Sequence, residues 1–561
     1  LTERVWDPSI IPDLVNCGIE YVVIDDYHFL STGYKQEDLY SYYITEHEGF
    51  ELKIFPIDKT LRYIVPFKRI DNVLDYLKSI SQKGSALGII FDDGEKFGVW
   101  PGTHDWVYKQ GWLNQFLDAL SADDDVESVL FKDIVSSSKP MGIAYLPTTS
   151  YFEMGEWSLF ADTYELFDEC LSFLEKHKIK ERYQYLIKGG IWKNFLSKYS
   201  EANHIHKRLT ALSKKILELE SCNEIKESLL KAECNDVLWH GIFGGLYLPN
   251  LRNNTYKFII EAESAYNKYI QLRYPSIDIY DLNMDGYNEA IMTSEDISAI
   301  FSSKYNGQMI ELDVLKEQFN LNNTLTRRKE GYHKQILEKS QNNEPKEGIS
   351  TIHEMDLRAT DELKKYLIYD WHPRHSFIDH FSETFNIDDF YYMRPIELGD
   401  FVNKEATLIA DELSVTFKRE GGIYKNNCKH NTSIKKTYLL EKNIINEYIE
   451  IDTDYQDELY YTVEFNFHFY HLENILVNNI NASTNNSAKG KIFKISDGVL
   501  NKTVNIELND SSEIFWYFVN TVYQTEKGAS LLPQAICLLI PFKFKNSLKN
   551  TLKLYLDNIN V

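Results

Sequence analysis

The sequence predicts a multidomain protein of mixed α/β and β class, and three observations support this prediction. At 561 residues, the chain is too long for one ordinary hydrophobic core. Strand and helix signals alternate in its first part, long helical periods follow, and short alternating strand signals fill the remainder. We therefore predict an α/β domain over residues 1–157, a helical domain over 158–274 and a β-sandwich over 275–561.

The first domain shows signals for helices and for strands in turn. Asp7 and Pro8 are typical of a helix start, the run SIIPDLVNC of a short apolar helix, and Gly18 of its end. The runs IEYVVIDD, ELKIFPI and SALGIIF indicate strands, and FKRIDNVLDYLKSISQKG indicates an amphipathic helix before the last of them. This alternation predicts a parallel sheet with crossover helices.

Polar side chains follow two of these strands. Residues 25–28 (Asp-Asp-Tyr-His) come after the first, and Asp92, Asp93 and Glu95 come after the last. In a closed α/β barrel, the ends of the strands form the catalytic face. The sequence therefore places candidate catalytic groups at this edge of the sheet.

The other two domains have different sequence patterns, the first helical and the second typical of strands. Long periodic runs such as YELFDECLSFLEKHK and HKRLTALSKKILELES predict helices packed on the first domain. After Pro275, runs such as SIDIYDLN, YYTVEFNFHFYH and KIFKIS, separated by Asn, Gly and Ser, predict the β-sandwich. The polar stretch EKSQNNEPKEGIS within it is typical of a solvated excursion or linker.

Composition narrows the classes of partner. A formal net charge of −24 disfavours nucleic acid and anionic membranes, which attract basic patches, and favours a neutral substrate. The six cysteines have no paired spacing, so we expect neither a zinc knuckle nor a disulfide framework, and a reducing compartment fits best. No apolar run approaches the ~18 residues of a membrane helix, and no secretory leader is evident.

Three segments combine carboxylates with Trp or His: LTERVW, FDDGEKFGVWPGTHDW and ECNDVLWHGIFGGLYLPNLR. This composition is typical of a pocket that holds a sugar, because carboxylates transfer protons or attack while aromatic faces cover the apolar side of pyranose rings. Simpler alternatives exist for each segment taken singly. Glu3 and Arg4 could form a surface ion pair, and Asp92, Asp93 and Glu95 an acidic turn.

Together, the segments resemble glycoside hydrolase family 57, in its 4-α-glucanotransferase and α-amylase branch. The similarity extends to VIDDYHF, FPIDKTLRYIVPF, YLPTTSYFEM, GGIWKNFLSKYSEANHIHKR, YDWHPRHSFIDHF and YQTEKG. The resemblance implies a seven-stranded (β/α) barrel, a helical segment that completes the active site and a C-terminal β-sandwich.

The resemblance also implies that the N-terminal part of the barrel is missing. In the family, the motif that matches LTERV ends the fourth barrel strand, and a His-Gln-Pro segment and a Gly-Asn-x-Glu segment precede it. Neither segment occurs in this sequence. We therefore expect a truncated barrel whose exposed strand edge leaves the chain alone inactive and prone to associate as a homo-oligomer.

Family members cleave α-1,4-glucosidic bonds with retention of configuration, which requires two carboxyl groups on opposite sides of the scissile bond. The motifs imply that Glu3 is the nucleophile and Asp93 the acid/base. Like-charged neighbours favour retention of a proton within the cluster of Asp92, Asp93 and Glu95, but this crowding does not distinguish Asp92 from Asp93. Arg4 would keep Glu3 ionised.

The remaining candidates bind substrate, and no cofactor is expected for catalysis. The predicted substrate-binding residues are Arg4, Trp6, Glu95, Trp100, Asp236, Trp239 and His240. For each Trp, packing in the core is the alternative. The expected partners are maltooligosaccharides and larger α-1,4-glucans in the cytoplasm. We favour a transferase, with an α-amylase-type hydrolase and a noncatalytic carbohydrate-binding protein as alternatives.

The run DLNMDGYNE in the β-region is a candidate structural calcium loop. Its oxygen-bearing side chains are Asp281, Asn283, Asp285 and Glu289, and Gly286 would supply a sharp turn. The twelfth position is Met292 rather than Glu, so the loop is not an EF-hand. The alternative is a hairpin turn without a metal.

Overall fold

The computed structural model describes residues 4–81, 86–219, 222–337, 361–525 and 528–558. The predicted polar stretch at 338–350 lies outside these residues. The first part of the chain alternates short helices with a small sheet. Its elements are α1 (Ile11–Asn16), β1 (Tyr21–Ile24), α2 (Asp26–Leu30), β2 (Tyr43–His47), β3 (Phe50–Pro56), α3 (Lys59–Ile64), α4 (Ile70–Ser81), α5 (Trp112–Ala122), α6 (Phe131–Ser137) and α7 (Phe152–Trp157).

The sheet has the order β1-β3-β2, with β1 parallel and β2 antiparallel to β3. The predicted helix α1 forms, and Gly18 follows it with a positive φ of 79°. The prediction of a strand in SALGIIF is wrong for residues 86–91, which have no regular secondary structure and join no sheet. This segment instead makes single backbone hydrogen bonds from Asp58 N to Ile89 O and from Leu87 N to Tyr40 O.

The middle of the chain is helical, as the periodicity predicts. Its helices are α8 (Ala161–Lys176), α9 (Lys180–Tyr183), α10 (Asn194–Lys198), α11 (Ser200–Leu217), α12 (Asn223–Ala232) and α13 (Pro249–Tyr269). On α11, Ile205, Leu209, Leu212 and Ile216 recur at helical spacing and are buried against α12 and α13. One apolar stripe therefore holds these three helices together.

The C-terminal part is rich in sheet. Its strands are β4 (Ser276–Tyr280), β5 (Glu289–Thr293), β6 (Ile297–Ser302), β7 (Gln308–Val314), β8 (Phe319–Asn320), β9 (Ile378–Ser382), β10 (Thr407–Ala410), β11 (Ser414–Lys425), β12 (Cys428–Glu441), β13 (Ile444–Thr453), β14 (Leu459–Phe467), β15 (Leu476–Val477), β16 (Ile480–Asn481), β17 (Ser487–Ser496), β18 (Lys502–Thr525), β19 (Gly528–Phe544) and β20 (Ser547–Asn558). Three short helices accompany them, α14 (His333–Leu337), α15 (Asp361–Lys364) and α16 (Ile387–Tyr391).

These strands form two antiparallel sheets within the described residues. β4 to β8 make a five-stranded sheet in sequence order, and β9 to β20 make a twelve-stranded one. Side chains from both sheets share one hydrophobic core; for example, Phe301 of β6 stacks on Tyr438 of β12 with 4.2 Å between ring centroids. In the larger sheet, the late strand β20 lies between β13 and β18.

A buried arginine joins the helical and β-rich parts. Arg252 of α13 is fully buried, and its guanidinium donates to Asn323 Oδ1 (2.8 Å), Leu246 O (2.5 Å) and Gln534 Oε1 of β19 (2.7 Å). Burial lowers its pKa to about 10. Arg252 thus connects a helix, the loop before it and a central strand.

We expect Arg252→Met to lower the free energy of unfolding by about 3 kcal/mol or more, because three buried acceptors lose their donor. Lys257→Met is the matched control, since Lys257 is exposed on the same helix. Urea unfolding followed by circular dichroism measures both variants. Equal stability of the two would show that Arg252 does not connect these parts.

Candidate active site

The strand ends place charged residues at one edge of the small sheet. β1 and β3 are parallel, so their carboxyl ends lie side by side. Asp25 follows β1 and caps α2 by accepting a hydrogen bond from Tyr27 N (3.1 Å). Asp58 follows β3 and caps α3 through Leu61 N (3.1 Å). Helix capping therefore fixes two carboxylates at this edge.

A row of alternating charges, which we call the ion chain, runs from this edge into the DDGEK segment. Arg4 Nη1 lies 2.7 Å from Asp25 Oδ2, which is 3.8 Å from Arg62 Nη1. Arg62 Nε lies 3.0 Å from Asp92 Oδ1, and Lys96 Nζ pairs with Asp92 Oδ2. Each of these side chains is at most 15% exposed. The ion chain joins four segments that are separated in sequence, around residues 4, 25, 62 and 92–96.

Asp25 and its neighbour Asp26 differ in protonation. Burial acts to raise the pKa of Asp25, but attraction by Arg4, His28 and Arg62 outweighs it and holds this pKa well below its usual range. Burial and repulsion by Asp25 raise the pKa of Asp26 well above its usual value. Neither oxygen of Asp26 meets a hydrogen-bond donor among the described residues. Asp25 is therefore the ionised member of the pair.

The environments of Asp92 and Asp93 are different. Asp92 is 5% exposed, and its carboxylate contacts Arg62, Lys96 and the backbone N of Asp93 (2.9 Å). Asp93 is exposed, and its carboxylate accepts no hydrogen bond from the part of the chain that the structure describes. Two cations thus lie against Asp92, and retention of a proton within the cluster stays a prediction. Of the two, only Asp93 presents its carboxylate to solvent.

The predicted nucleophile Glu3 lies outside the described residues. Its neighbour Arg4 has a positive φ of 48°, contacts Asp25, and places its guanidinium carbon 3.9 Å from the centroid of the Tyr151 ring. The described contacts of the Arg4 guanidinium are thus Asp25 and Tyr151, and its carbonyl oxygen lies 2.9 Å from His28 Nε2. An ion pair between Arg4 and Glu3 stays a prediction.

The three Trp residues that are predicted to bind substrate through their ring faces have different surroundings. Trp6 is fully buried in the core, and its Nε1 donates to Leu146 O (3.0 Å), so its interpretation as a sugar platform is corrected to core packing. Trp100 is half-buried and stacks on Phe67, with the exposed ring of Phe243 at 6.2 Å. Trp239 is half-buried and stacks on Trp157 with ring planes 13° apart.

The polar residues that are predicted to bind substrate, Glu95, Asp236 and His240, also differ in accessibility. Glu95 is exposed, and Asp236 is half-buried and accepts a hydrogen bond from Cys234 Sγ (2.8 Å). His240 is buried, with Nδ1 bonded to Gly244 O (2.7 Å) and Nε2 to Tyr332 Oη (3.0 Å). Both ring nitrogens of His240 therefore bind protein atoms, and these buried contacts disagree with its predicted contact with substrate.

Sequence reasoning missed Glu330, a carboxylate that supports the loop carrying Trp239 and His240. Glu330 is buried and accepts hydrogen bonds from Tyr199 and Tyr247 (2.8 Å each), and Lys198 Nζ lies 2.8 Å away. Burial opposes ionisation of Glu330, but Lys198 and His240 lower its pKa to about 2. No local pattern marks Glu330, because the partners of its carboxylate lie at least 83 residues away along the chain.

The sequence does carry a signal for Lys96, which was also missed. Lys96 stands at the i,i+4 spacing from Asp92 that favours pairing.

A cavity of about 700 Å³ lies beside Trp239, within the usual size of ligand pockets. Residues from the first and third of the three motif segments line it, together with residues from between them; the lining includes Val5, Asp7, Met154, Trp192, Asn235 and Trp239. Its walls are mostly apolar, with carboxylate and amide groups among them. Such a cavity suits a ligand that has both apolar faces and hydroxyl groups.

In the candidate calcium loop, protein groups already contact the carboxylates. Asp281 accepts from the backbone N of Asp285 and Gly286 (3.0 and 2.9 Å), and Asp285 lies 2.9 Å from Lys304 Nζ. Glu289 is buried and accepts from Leu282 N, Asn283 Nδ2 and Ser302 Oγ. These contacts favour the hairpin turn, and calcium binding stays a prediction.

Comparison with known proteins gives consistent matches. Residues 1–147 match glycosyl hydrolase family 57, residues 190–266 the alpha-amylase/4-alpha-glucanotransferase middle domain, and residues 281–554 the C-terminal domain of the same enzymes. The 4-alpha-glucanotransferase of Thermococcus kodakarensis is 36% identical over 99% of this chain and 81% of its own. The alpha-amylase of Pyrococcus furiosus is 35% identical over 99% and 80%.

A solved structure is also similar. The crystal structure of 4-alpha-glucanotransferase from Thermococcus litoralis superposes with a TM-score of 0.86 at 33% identity, over 99% of this chain and 81% of that one. The family match and these relatives thus define an enzyme of the glycoside hydrolase and transferase class. The chain belongs to glycosyl hydrolase family 57.

Two further features concern membrane-spanning helices and the state of the cysteines. Across the described residues, no helix has the length and apolar character needed to cross a membrane. All six cysteines are free thiols, and only Cys537 is buried.

Acid should destabilise the loop around His240. Burial lowers the pKa of His240 to about 4 from 6.5, so its neutral form stabilises the fold above pH 6.5, and this stabilisation is lost as pH falls from 6.5 to 4. Over this window the free energy of unfolding should fall by up to about 1.4 kcal/mol per pH unit more than in His240→Gln. Unfolding midpoints at several pH values measure this difference. His177→Gln, at an exposed histidine, should behave like the unmodified protein; a parallel decline in His240→Gln would contradict the assignment.

Proposed function

We propose that the protein is a 4-α-glucanotransferase that acts on maltooligosaccharides and larger α-1,4-glucans with retention of configuration. The observation that carries this proposal is the 36% identity to enzymes of that name over 99% of the chain. The exposure of Asp93 beside the buried ion chain supports it, because an acid/base must reach the glycosidic oxygen.

In the proposed reaction, Glu3 attacks the anomeric carbon and Asp93 protonates the departing oxygen. A glucosyl-enzyme ester forms, and Asp93 then removes a proton from the incoming acceptor hydroxyl, which displaces Glu3. Retention requires these carboxyl groups to lie ~5–5.5 Å apart. The ion chain would hold both segments in place, with Arg4 beside Glu3 in sequence and Asp92 beside Asp93.

We further propose that aromatic rings bind the sugars. Trp100 and Phe243 together present partly exposed rings near the DDGEK segment, and Trp239 borders the large cavity. Asp236 and Glu95 would bind hydroxyl groups, and Arg4 would orient the nucleophile. The catalytic part would be a (β/α) barrel, of which the described β1 and β3 are parallel neighbours. A cytoplasmic enzyme fits the six free thiols.

The acceptor decides between transfer and hydrolysis, since water and a sugar hydroxyl compete for the same intermediate. A cavity with apolar walls beside Trp239 would bind an acceptor glucan and reduce access of water to the ester. An α-amylase-type hydrolase is the second candidate, because relatives of that name are 35% identical. A noncatalytic carbohydrate-binding protein is the third.

The complete protein, with any sequence that precedes Leu1, should disproportionate maltotetraose into longer and shorter chains without matching growth of reducing ends. Chromatography of the products together with a reducing-end assay measures both quantities. Release of one reducing end per bond cleaved would identify a hydrolase. Binding of maltotetraose without new products would identify a binding protein.

Asp93→Asn should lose activity on maltooligosaccharides but regain part of it on a glucosyl fluoride donor, because fluoride leaves without a proton. Asp92→Asn is the matched control, since it makes the same chemical change one residue away. It should lower the unfolding midpoint, because Arg62 and Lys96 lose their shared carboxylate, and should affect both donors equally. The same rescue in Asp92→Asn would reverse the assignment.

A further inference from the structure

The β-rich part contains a second cluster of chemically active side chains, remote in sequence from the catalytic motifs. His372, His380 and Glu464 are buried, and one ligand atom from each lies within 4.8 Å of the others. Glu464 Oε2 is 3.2 Å from His380 Nε2 and 3.9 Å from His372 Nε2. We propose that these three residues bind a divalent transition-metal ion with the preferences of zinc.

The spacing suits such an ion. Zinc bonds of ~2.0–2.1 Å in tetrahedral geometry place ligand atoms roughly 3.3 Å apart. The two measured separations from Glu464 Oε2 bracket this value. Two imidazoles and one carboxylate leave a fourth position free, and a cavity of about 10 Å³ beside both histidines has room for about one water.

Neighbouring groups orient all three ligands. His372 Nδ1 lies 2.9 Å from Pro373 O, and His380 Nδ1 lies 2.8 Å from Glu397 Oε2. Metal-binding histidines commonly donate their second N–H to a carbonyl or a carboxylate in this way, which leaves the other nitrogen for the metal. Both Nε2 atoms thereby face Glu464.

The two oxygens of the Glu464 carboxylate also have different partners. Its Oε1 accepts hydrogen bonds from Arg374 Nη1 (3.0 Å) and Asn466 Nδ2 (2.7 Å). Its Oε2 contacts only the two histidines among the described residues. Arg374 therefore contacts Glu464 Oε1, and Glu464 Oε2 is directed at the proposed metal.

The competing explanation is a buried ion pair. A protonated His380 between Glu397 and Glu464 would satisfy its own two nitrogens without a metal, and these carboxylates raise its pKa to about 9 against the effect of burial. That arrangement gives no role to His372, whose Nε2 also faces Glu464 Oε2 and whose pKa burial lowers to about 4. A metal accounts for both histidines.

The proposed ion would brace the sheet. His380 lies on β9 opposite Thr462 of β14, Glu464 lies two residues further along β14, and His372 belongs to the segment that leads into β9. One ion would therefore tie the segment before β9 to two paired strands. Its expected role is structural.

The test uses the untagged chain after treatment with a chelator, titrated with zinc chloride by calorimetry. We expect about one zinc per chain and a rise of a few degrees in the unfolding midpoint at saturation. His372→Gln should weaken zinc binding at least tenfold, because it removes one ligand and leaves the pair of His380 with Glu397 intact. His471→Gln, at an exposed histidine, is the matched control and should bind as the unmodified chain does.

Three results would overturn the proposal: no zinc bound, equal binding in His372→Gln, or binding without a change in the unfolding midpoint. A cobalt-loaded unmodified chain supplies a readout that needs no variant. Tetrahedral nitrogen and oxygen coordination gives visible absorption bands, whereas cobalt that remains octahedral in water would show that the three residues form only an ion pair.

Discussion

The candidate active-site edge depends on the row of buried alternating charges from Arg4 through Asp25, Arg62 and Asp92 to Lys96. Taking such charges out of water costs several kcal/mol per ion, and their attraction offsets this cost only when each charge has a partner. Loss of Asp25 would leave Arg4 without its carboxylate partner in the row, and loss of Asp92 would do the same to Lys96. The segments that carry Arg4, Asp25 and Asp92 are therefore held in position together, and the row fixes where Asp93 projects.

A second support reaches the site from the β-rich part. The loop that carries Trp239 and His240 is held through Tyr332 and Gly244, and Gln534 of β19 meets both Arg252 and the Tyr247 carbonyl. Because these contacts are buried hydrogen bonds, strand geometry in one part constrains the loop that carries Trp239 in another. The C-terminal sheets are thus part of the framework of the site as well as a fold of their own.

Local patterns predicted the helices and the order of structural types, because apolar spacing such as that of Ile205 to Ile216 is contained within one element. Patterns failed where a distant partner decides the outcome. Residues 86–91 resemble a strand but find no ladder, Trp6 is enclosed by the core, and His240 is taken up by Tyr332, 92 residues away. Crowding by like charges does not distinguish Asp92 from Asp93, whereas the structure places Arg62 and Lys96 against Asp92 only.

The placement of β20 has a consequence for synthesis of the protein. This strand, Ser547–Asn558, is the last described element, yet it lies between β13 and β18 in the middle of the large sheet. Its neighbours β13 and β18 cannot complete their ladders until this strand has been synthesised. Until then, two interior edges of the sheet remain open to wrong partners.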